Sequence, residues 1–109
     1  MASELLKVAL KADLTDTEHI LIDGVNGHTY TILSIIFCET AGAAETFDLF
    51  IDDGGAGTDY EIYSDQALAA NATFEHTSKF VMEAADHLSI QTASTSNIDV
   101  CVSYLLQTL

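Results

Sequence analysis

Three aspartates in a glycine-rich segment are the residues of this chain with the clearest potential for chemistry. Asp52, Asp53 and Asp59 lie in the segment IDDGGAGTDY, residues 51–60. Carboxylate oxygens are ligands that Ca²⁺ prefers, so the segment is a candidate cation loop. An EF-hand loop beginning at Asp52 would need a bidentate glutamate at its twelfth position, where this chain has Tyr63. Aspartate and glycine are also typical of tight turns, and a turn is the favoured interpretation.

The other side chains that could act in catalysis or bind a metal do not have the sequence spacing that either role requires. The four histidines are spread along the chain with no H-x-H or H-x-x-x-H pair. There is no G-x-S-x-G elbow and no cysteine-protease signature around Cys38 or Cys101. With seventeen acidic residues, some carboxylates will always lie close together, so such pairs do not indicate a glycosidase. We predict no enzyme activity, no catalytic residue, no cofactor and no metal site.

The charge of the chain limits its partners. Seventeen acidic residues against three lysines and no arginine give a net charge of −14. Such a surface repels phosphate backbones, so we expect no nucleic-acid partner. The apolar runs are far shorter than the roughly 20 residues of a membrane-spanning helix, and we expect no membrane partner. The segment MASELLKVAL lacks the features of a secretory signal, so Cys38 and Cys101 are expected to be reduced and partly buried.

The elements that must position these residues are strands. Phe47, Leu49 and Ile51 alternate with Asp48 and Asp52, which is the period of a half-buried strand. The same reasoning predicts about eight strands, at 5–14, 18–22, 29–38, 46–52, 60–64, 74–82, 87–93 and 97–107. Only 65–72 and 83–86 are faintly helical. Short polar breaks separate the strands, and the chain has no proline and no linker.

This pattern predicts an all-β fold, a single-domain antiparallel β-sandwich of the jelly-roll or Ig-like kind over residues 1–109. Residues 1–15 are expected to form an N-terminal strand or an arm that contacts other subunits. The acidic segment 52–59 then falls where a hairpin connection should be.

Apolar residues on both faces of the strand 29–38 need cover. One predicted face carries Leu33, Ile35 and Phe37, and the other carries Tyr30, Ile32, Ile36 and Cys38. Two sources of cover are possible. The N-terminal segment offers an apolar row for this purpose, consisting of Leu6, Val8, Leu10, Ala12 and Leu14. Alternatively, partner subunits supply the cover, and this second interpretation is favoured.

Two further apolar residues interrupt faces that are otherwise polar, Phe50 and Leu105. Exposed apolar patches on acidic proteins often mark an interface with another subunit. We therefore predict that Ile36, Phe50 and Leu105 contribute to such an interface.

Five segments in order resemble a known group of proteins. They are TAG at 40–42, FDLFI at 47–51, LAANAT at 68–73, MEAADHLSIQTAS at 82–94 and VCVSYL at 100–105. From about residue 30 to residue 105 the chain thereby resembles the small β-sandwich virion proteins of tailed bacteriophages. The chain departs from that group in having DGVNG in place of a proline-and-glycine turn, and alanine where proline is usual in ALAANAT.

The resemblance implies a non-enzymatic virion structural protein without catalytic residues. A position on the outer head surface is favoured, because packaged DNA would repel a chain of charge −14. The expected role is that of a capsid decoration or cement protein, assembled in the host cytoplasm. Its expected partners are the major capsid protein and copies of itself, with a homotrimer favoured. The alternatives are a tail fibre or adaptor protein, and a calcium-assisted carbohydrate-binding module that uses Asp52, Asp53 and Asp59.

Overall fold

Nine antiparallel strands make up the fold. The computed structural model describes residues 3–55, 57–94 and 97–108. The strands are β1 Ser3–Lys11, β2 His19–Asp23, β3 His28–Glu39, β4 Glu45–Asp52, β5 Asp59–Leu68, β6 Thr73–His76, β7 Phe80–Glu83, β8 His87–Thr92 and β9 Ile98–Thr108. No helix in these three ranges has the length and apolarity that a membrane crossing requires. The all-β prediction is confirmed.

The strands form two sheets packed face to face. The five-stranded sheet has the order β1-β9-β3-β6, and β7 also pairs with β3. The four-stranded sheet has the order β2-β8-β4-β5. Every strand pair is antiparallel. This arrangement confirms the predicted antiparallel sandwich.

The core lies between the two sheets and is built from alternate residues of their strands. Phe37 of β3 stacks on Phe47 of β4, with ring centroids 4.5 Å apart. The fully buried members of the core include Leu14, Ile32, Ile35, Leu49, Leu88, Ile90, Ile98 and Val102. Removal of this apolar surface from water is the main stabilising contribution to such a fold.

Three predicted elements differ from the structure. The strand expected at 74–82 is split into β6 and β7, which pair with different halves of β3. In the segment 65–72, β5 continues to Leu68 and then turns, with the Ala72 N–H donating to the Ala69 carbonyl at 3.1 Å. The segment 83–86 is also a turn, closed by the Asp86 N–H on the Glu83 carbonyl at 3.2 Å. Short alanine runs gave a helical pattern, but in the structure they lie at strand ends and in turns.

A β-bulge in β3 corrects the predicted faces of that strand. The pairing with β9 passes from Ile32 opposite Tyr104 to Ser34 opposite Ser103, so Leu33 is an extra residue. One extra residue reverses the alternation beyond it. The residues that face the core are therefore Tyr30, Ile32, Ile35 and Phe37. The predicted sets mixed residues from both faces.

Candidate interaction surface

The acidic segment is a hairpin connection between β4 and β5. The Asp52 Oδ1 accepts a hydrogen bond from the Gly57 N–H at 3.2 Å, and the Asp53 N–H donates to the Thr58 carbonyl at 3.0 Å. The Gly54 N–H donates to Asp86 Oδ1 at 2.9 Å. These contacts pair polar groups of the described loop residues with other groups of the protein. Within the described part of the chain, no cluster of three or more histidine, cysteine, aspartate or glutamate residues is arranged to hold a metal ion.

Uncompensated negative charge gathers on the outer face of the four-stranded sheet. Removal of the carboxyl group of Glu61 from water raises its pKa, and the charges of Asp48, Asp59 and Asp65 raise it further. The pKa of Asp59 is also raised, first by removal from water and then by Asp52 and Glu18. We call the surface formed by Asp48, Asp52, Asp59, Glu61 and Asp65 the acidic face.

The outer face of the five-stranded sheet has the opposite character. Its apolar side chains are Leu6, Val8 and Leu10 of β1, Leu105 of β9, Ile36 of β3 and Val81 of β7, and we call this surface the apolar face. Strand register places these side chains in rows across the sheet. One row contains Leu6, Leu105, Thr31 and Val81. Another row contains Leu10, Cys101, Ile36 and Glu75. With strands about 4.8 Å apart, such a row spans roughly 14 Å.

The exposure on this face is high for large apolar residues. The exposed fraction is 78% for Leu6, 72% for Leu10 and 58% for Val81. Single exposed apolar residues are ordinary on protein surfaces, but a contiguous group of them marks an interaction site. Two grooves cross the face. One of about 380 Å³ lies beside Leu10, Ile36 and Cys101, and one of about 400 Å³ lies beside Leu6, Val8 and Leu33.

The three residues predicted for an interface do not share one surface. Ile36 is exposed on the apolar face, and Leu105 is half-buried there, opposite Leu6 in register. Phe50 differs from the expectation, because it is only 4% exposed and belongs to the other sheet. Its strand β4 lies between β8 and β5, so Ser89 and Glu61 flank it on both sides. Phe50 therefore offers little surface to a partner.

The N-terminal segment does not cover β3. The strand β1 pairs with β9 at the edge of the sheet, and its row Leu6, Val8 and Leu10 remains exposed. Of the predicted apolar row, only Leu14, after the end of β1, enters the core. The alternative in which this segment supplies the cover is therefore wrong. The alternation of Leu6 and Leu10 with polar residues suggested a covering strand, so these two leucines were not predicted as surface residues.

The histidines form no metal-binding cluster among the described residues, and two of them make contacts with neighbouring side chains. His76 is 7% exposed, and its Nδ1 lies 2.7 Å from the hydroxyl of Tyr63. His87 contacts Asp23 on the neighbouring strand β2, with its Nε2 3.0 Å from Oδ1. Cys38 and Cys101 are both free and half-buried. Among the described residues, these contacts do not place a serine or cysteine nucleophile beside a base.

Similarity to known proteins is found only at the level of fold. No protein-family model and no curated protein sequence matches the chain. A structure of Bacillus endospore appendages, described as disulfide-linked pili, is similar with a TM-score of 0.58 and 10% identity, over 99% of this chain and 89% of that chain.

Two structures from viral particles are also similar. The acid-stable capsid of Helicobacter pylori bacteriophage KHP30 has a TM-score of 0.56 and 8% identity, over 97% of this chain and 92% of that chain. The T=1 particles derived from infectious bursal virus have a TM-score of 0.55 and 10% identity, over 99% of this chain and 31% of that chain. These likenesses show that the chain shares a β-sandwich fold with proteins of pili and viral capsids.

Proposed function

We propose that this chain is a non-enzymatic structural protein of a virus particle, a capsid decoration protein that docks by its apolar face. The observation that carries the proposal is the contrast between the two outer faces of one sandwich. The apolar face presents exposed leucine, isoleucine and valine, whereas the acidic face presents clustered carboxylates. A subunit with this asymmetry has one side suited to a protein surface and one side suited to water.

The physical chemistry of docking follows from these two faces. Burial of apolar surface is favourable by about 25 cal/mol for each Å² removed from water. A protein interface of standard size buries about 800 Å² on each partner. The centre of such an interface is apolar and its rim is polar, so the apolar face would form the centre of the contact. The acidic face would point outward, away from packaged DNA, which repels it. The proposed partners are the major capsid protein and copies of the chain itself, as a homotrimer.

The similarity in fold to proteins of pili and viral capsids supports this proposal, because those proteins belong to larger assemblies. The resemblance to the virion proteins of tailed bacteriophages supports it on separate grounds. The proposed position is the outer capsid surface.

The first test is the copy number of the chain in purified particles, measured by quantitative mass spectrometry against the major shell protein. Hundreds of copies in each particle are expected for a decoration protein. A dozen copies or fewer would instead indicate a tail fibre or adaptor protein. Complete absence from the particles would overturn the virion assignment.

The second test addresses the apolar face directly. Purified chain is mixed with shells that lack it, and the bound fraction is measured by co-sedimentation. We expect Ile36→Asp to reduce binding at least about tenfold, since it places a charge within the apolar contact. The matched control is Val25→Asp, because Val25 is 51% exposed, lies in the turn between β2 and β3 and is not one of the residues of the apolar face. Equal loss of binding in both variants would contradict the assignment of the face.

A further inference from the structure

The strand β1 gains almost no burial from its own chain. The exposed fraction is 54% for Leu5, 56% for Val8 and still higher for Leu6 and Leu10. Only Ala9 among the nine residues of β1 is even half-buried. Holding nine residues in one conformation costs conformational entropy, which burial of side chains normally offsets. The strand β1 therefore has exposed side chains beyond the three that belong to the apolar face, and these are available for another contact.

The outer edge of β1 is also open and regular. All nine residues pair with β9 in continuous register, from Ser3 opposite Thr108 to Lys11 opposite Val100. Its other edge has no partner among the strands that the structure describes. Natural sheets protect a free edge with proline, bulges, short strands or charged side chains, because an open edge can pair with another chain. Of these features β1 has only charge, and its lysines would attract an acidic partner rather than repel it.

The charge of β1 indicates what binds there. The strand holds one acid, Glu4, and two lysines, Lys7 and Lys11, so its net charge is +1. The whole chain has a net charge of −14, which leaves −15 for all other residues. Neither lysine forms an ion pair with a described residue, and both border the grooves of the apolar face. The surface that complements β1 is acidic, and the rest of this chain provides one.

The complementary surface lies on the opposite side of the sandwich. On one side β1 contacts β2, the edge strand of the other sheet. On the far side β5 lies over β6, where the Tyr63 hydroxyl contacts His76. The edge strand β5 has ten residues against nine in β1. It carries exposed Asp59 and Glu61, whose carboxylates are crowded by other acids and would gain from nearby cations.

We propose that β1 of one copy binds the β5 side of a second copy, with Lys7 and Lys11 beside Asp59 and Glu61. Each copy then offers one basic edge and one acidic edge, so the contact is head-to-tail. A head-to-tail contact forms a closed ring if its rotation closes and a filament if it does not. In a ring, every apolar face can point in the same direction and remain free for a shell. The inference rests on the proposed docking role and adds a lateral contact to it.

The experiment measures the mass of the purified chain alone by light scattering across a concentration series. We expect the unmodified chain to form oligomers. The double variants Lys7→Glu with Lys11→Glu, and Asp59→Lys with Glu61→Lys, should each self-associate at least about tenfold more weakly, because like charges then meet across the contact. Circular dichroism checks that each variant folds.

The decisive measurement is an equimolar mixture of the two double variants. Each variant repels itself, but in the mixture the glutamates introduced into one variant face the lysines introduced into the other. The reverse contact joins the unmodified β1 of one variant to the unmodified β5 of the other. We therefore expect the mixture to form oligomers heavier than either variant forms alone.

Three outcomes would each overturn the proposal. They are a monomeric unmodified chain, an unchanged mass in either double variant, and no gain in mass when the two variants are mixed. Because no shell is present, these results are separate from the test of shell docking. A chain that forms the lateral contact but does not bind shells would leave this inference standing and contradict the proposed function.

Discussion

The buried carboxylate of Glu39 binds the backbone of Asn71, with its Oε1 accepting the Asn71 N–H at 3.1 Å. The same carboxylate accepts N–H groups of Ala41, Gly42 and Ala43 at 2.9, 2.8 and 3.2 Å. Glu39 is 1% exposed at the end of β3. One side chain therefore ties the β3–β4 loop to the β5–β6 turn, two connections that are distant in sequence.

Replacement of Glu39 should loosen both connections. Glu39→Gln keeps the size of the side chain but replaces one acceptor oxygen with a donor, which leaves buried N–H groups unpaired. We expect the melting temperature at neutral pH to fall by about 5 °C or more. The matched control is Glu75→Gln on the neighbouring strand β6, whose side chain is exposed and should change melting little. Equal melting of the two variants would contradict this role.

The contribution of Glu39 should also depend on pH. The Asn71 N–H is the main cause that lowers the pKa of Glu39 below its ordinary 4.5, against the opposing effect of burial. A lowered pKa in the folded state gives stability that is complete above the unfolded pKa and is lost as pH falls through the folded pKa. The stability difference between the unmodified chain and Glu39→Gln should therefore shrink below about pH 4.5. Thermal melts from pH 3 to pH 7 measure it.

Glu61 should show the reverse dependence. Its pKa is raised in the folded chain, first by removal from water and then by Asp48, Asp59 and Asp65. A raised carboxyl pKa means that stability is lost as pH rises through the folded pKa. We expect Glu61→Gln to raise the melting temperature at pH 7 by about 1–3 °C, and to have no effect below the ordinary pKa. A gain that persists at pH 3 would exclude charge relief as its cause.

Local sequence pattern was sufficient for most of the strands and insufficient for their faces. The alternation around Phe47 and Leu49 depends only on period two, and β4 lies where it was predicted. The inward residues of β3 depend on the bulge at Leu33, which is defined by the partner strand β9. The alternation within 29–38 does not record that the strand gains a residue relative to β9. The prediction therefore grouped Tyr30 and Ile32 with Ile36, whereas in the structure they share the inner face with Ile35 and Phe37.

The position of β1 was equally inaccessible from the sequence. Its row of Leu6, Val8 and Leu10 has the same period as a core strand, so the pattern alone does not distinguish inner from outer. The pairing with β9 at the sheet edge makes that row exposed. Phe50 shows the opposite case, an apolar residue on a mostly acidic face that its flanking strands bury. Neighbours in space, rather than neighbours in sequence, decide both outcomes.

The acidic hairpin should not respond to calcium. Asp52 already accepts the Gly57 N–H, and the structure groups no third ligand with it in the part of the chain that it describes. We expect millimolar CaCl₂ to leave the melting temperature unchanged, with Asp53→Ala behaving in the same way. A ligand that binds only the folded state raises melting as its concentration exceeds its Kd. A calcium-dependent rise that Asp53→Ala abolishes would support the carbohydrate-binding alternative instead.

Substitutions of Phe50 and Ile36 should distinguish effects on folding from effects on assembly. Phe50 is 4% exposed, so Phe50→Ser removes a buried aromatic ring and should lower the free energy of unfolding by about 3 kcal/mol. Ile36 is 40% exposed, so Ile36→Asp should change it by less than about 1 kcal/mol while it weakens shell docking. Urea unfolding of both variants, beside co-sedimentation with shells, measures the two effects. A Phe50→Ser chain that is fully stable would show that this ring is not part of the packed structure, and a strongly destabilised Ile36→Asp chain would show that loss of docking reflects unfolding.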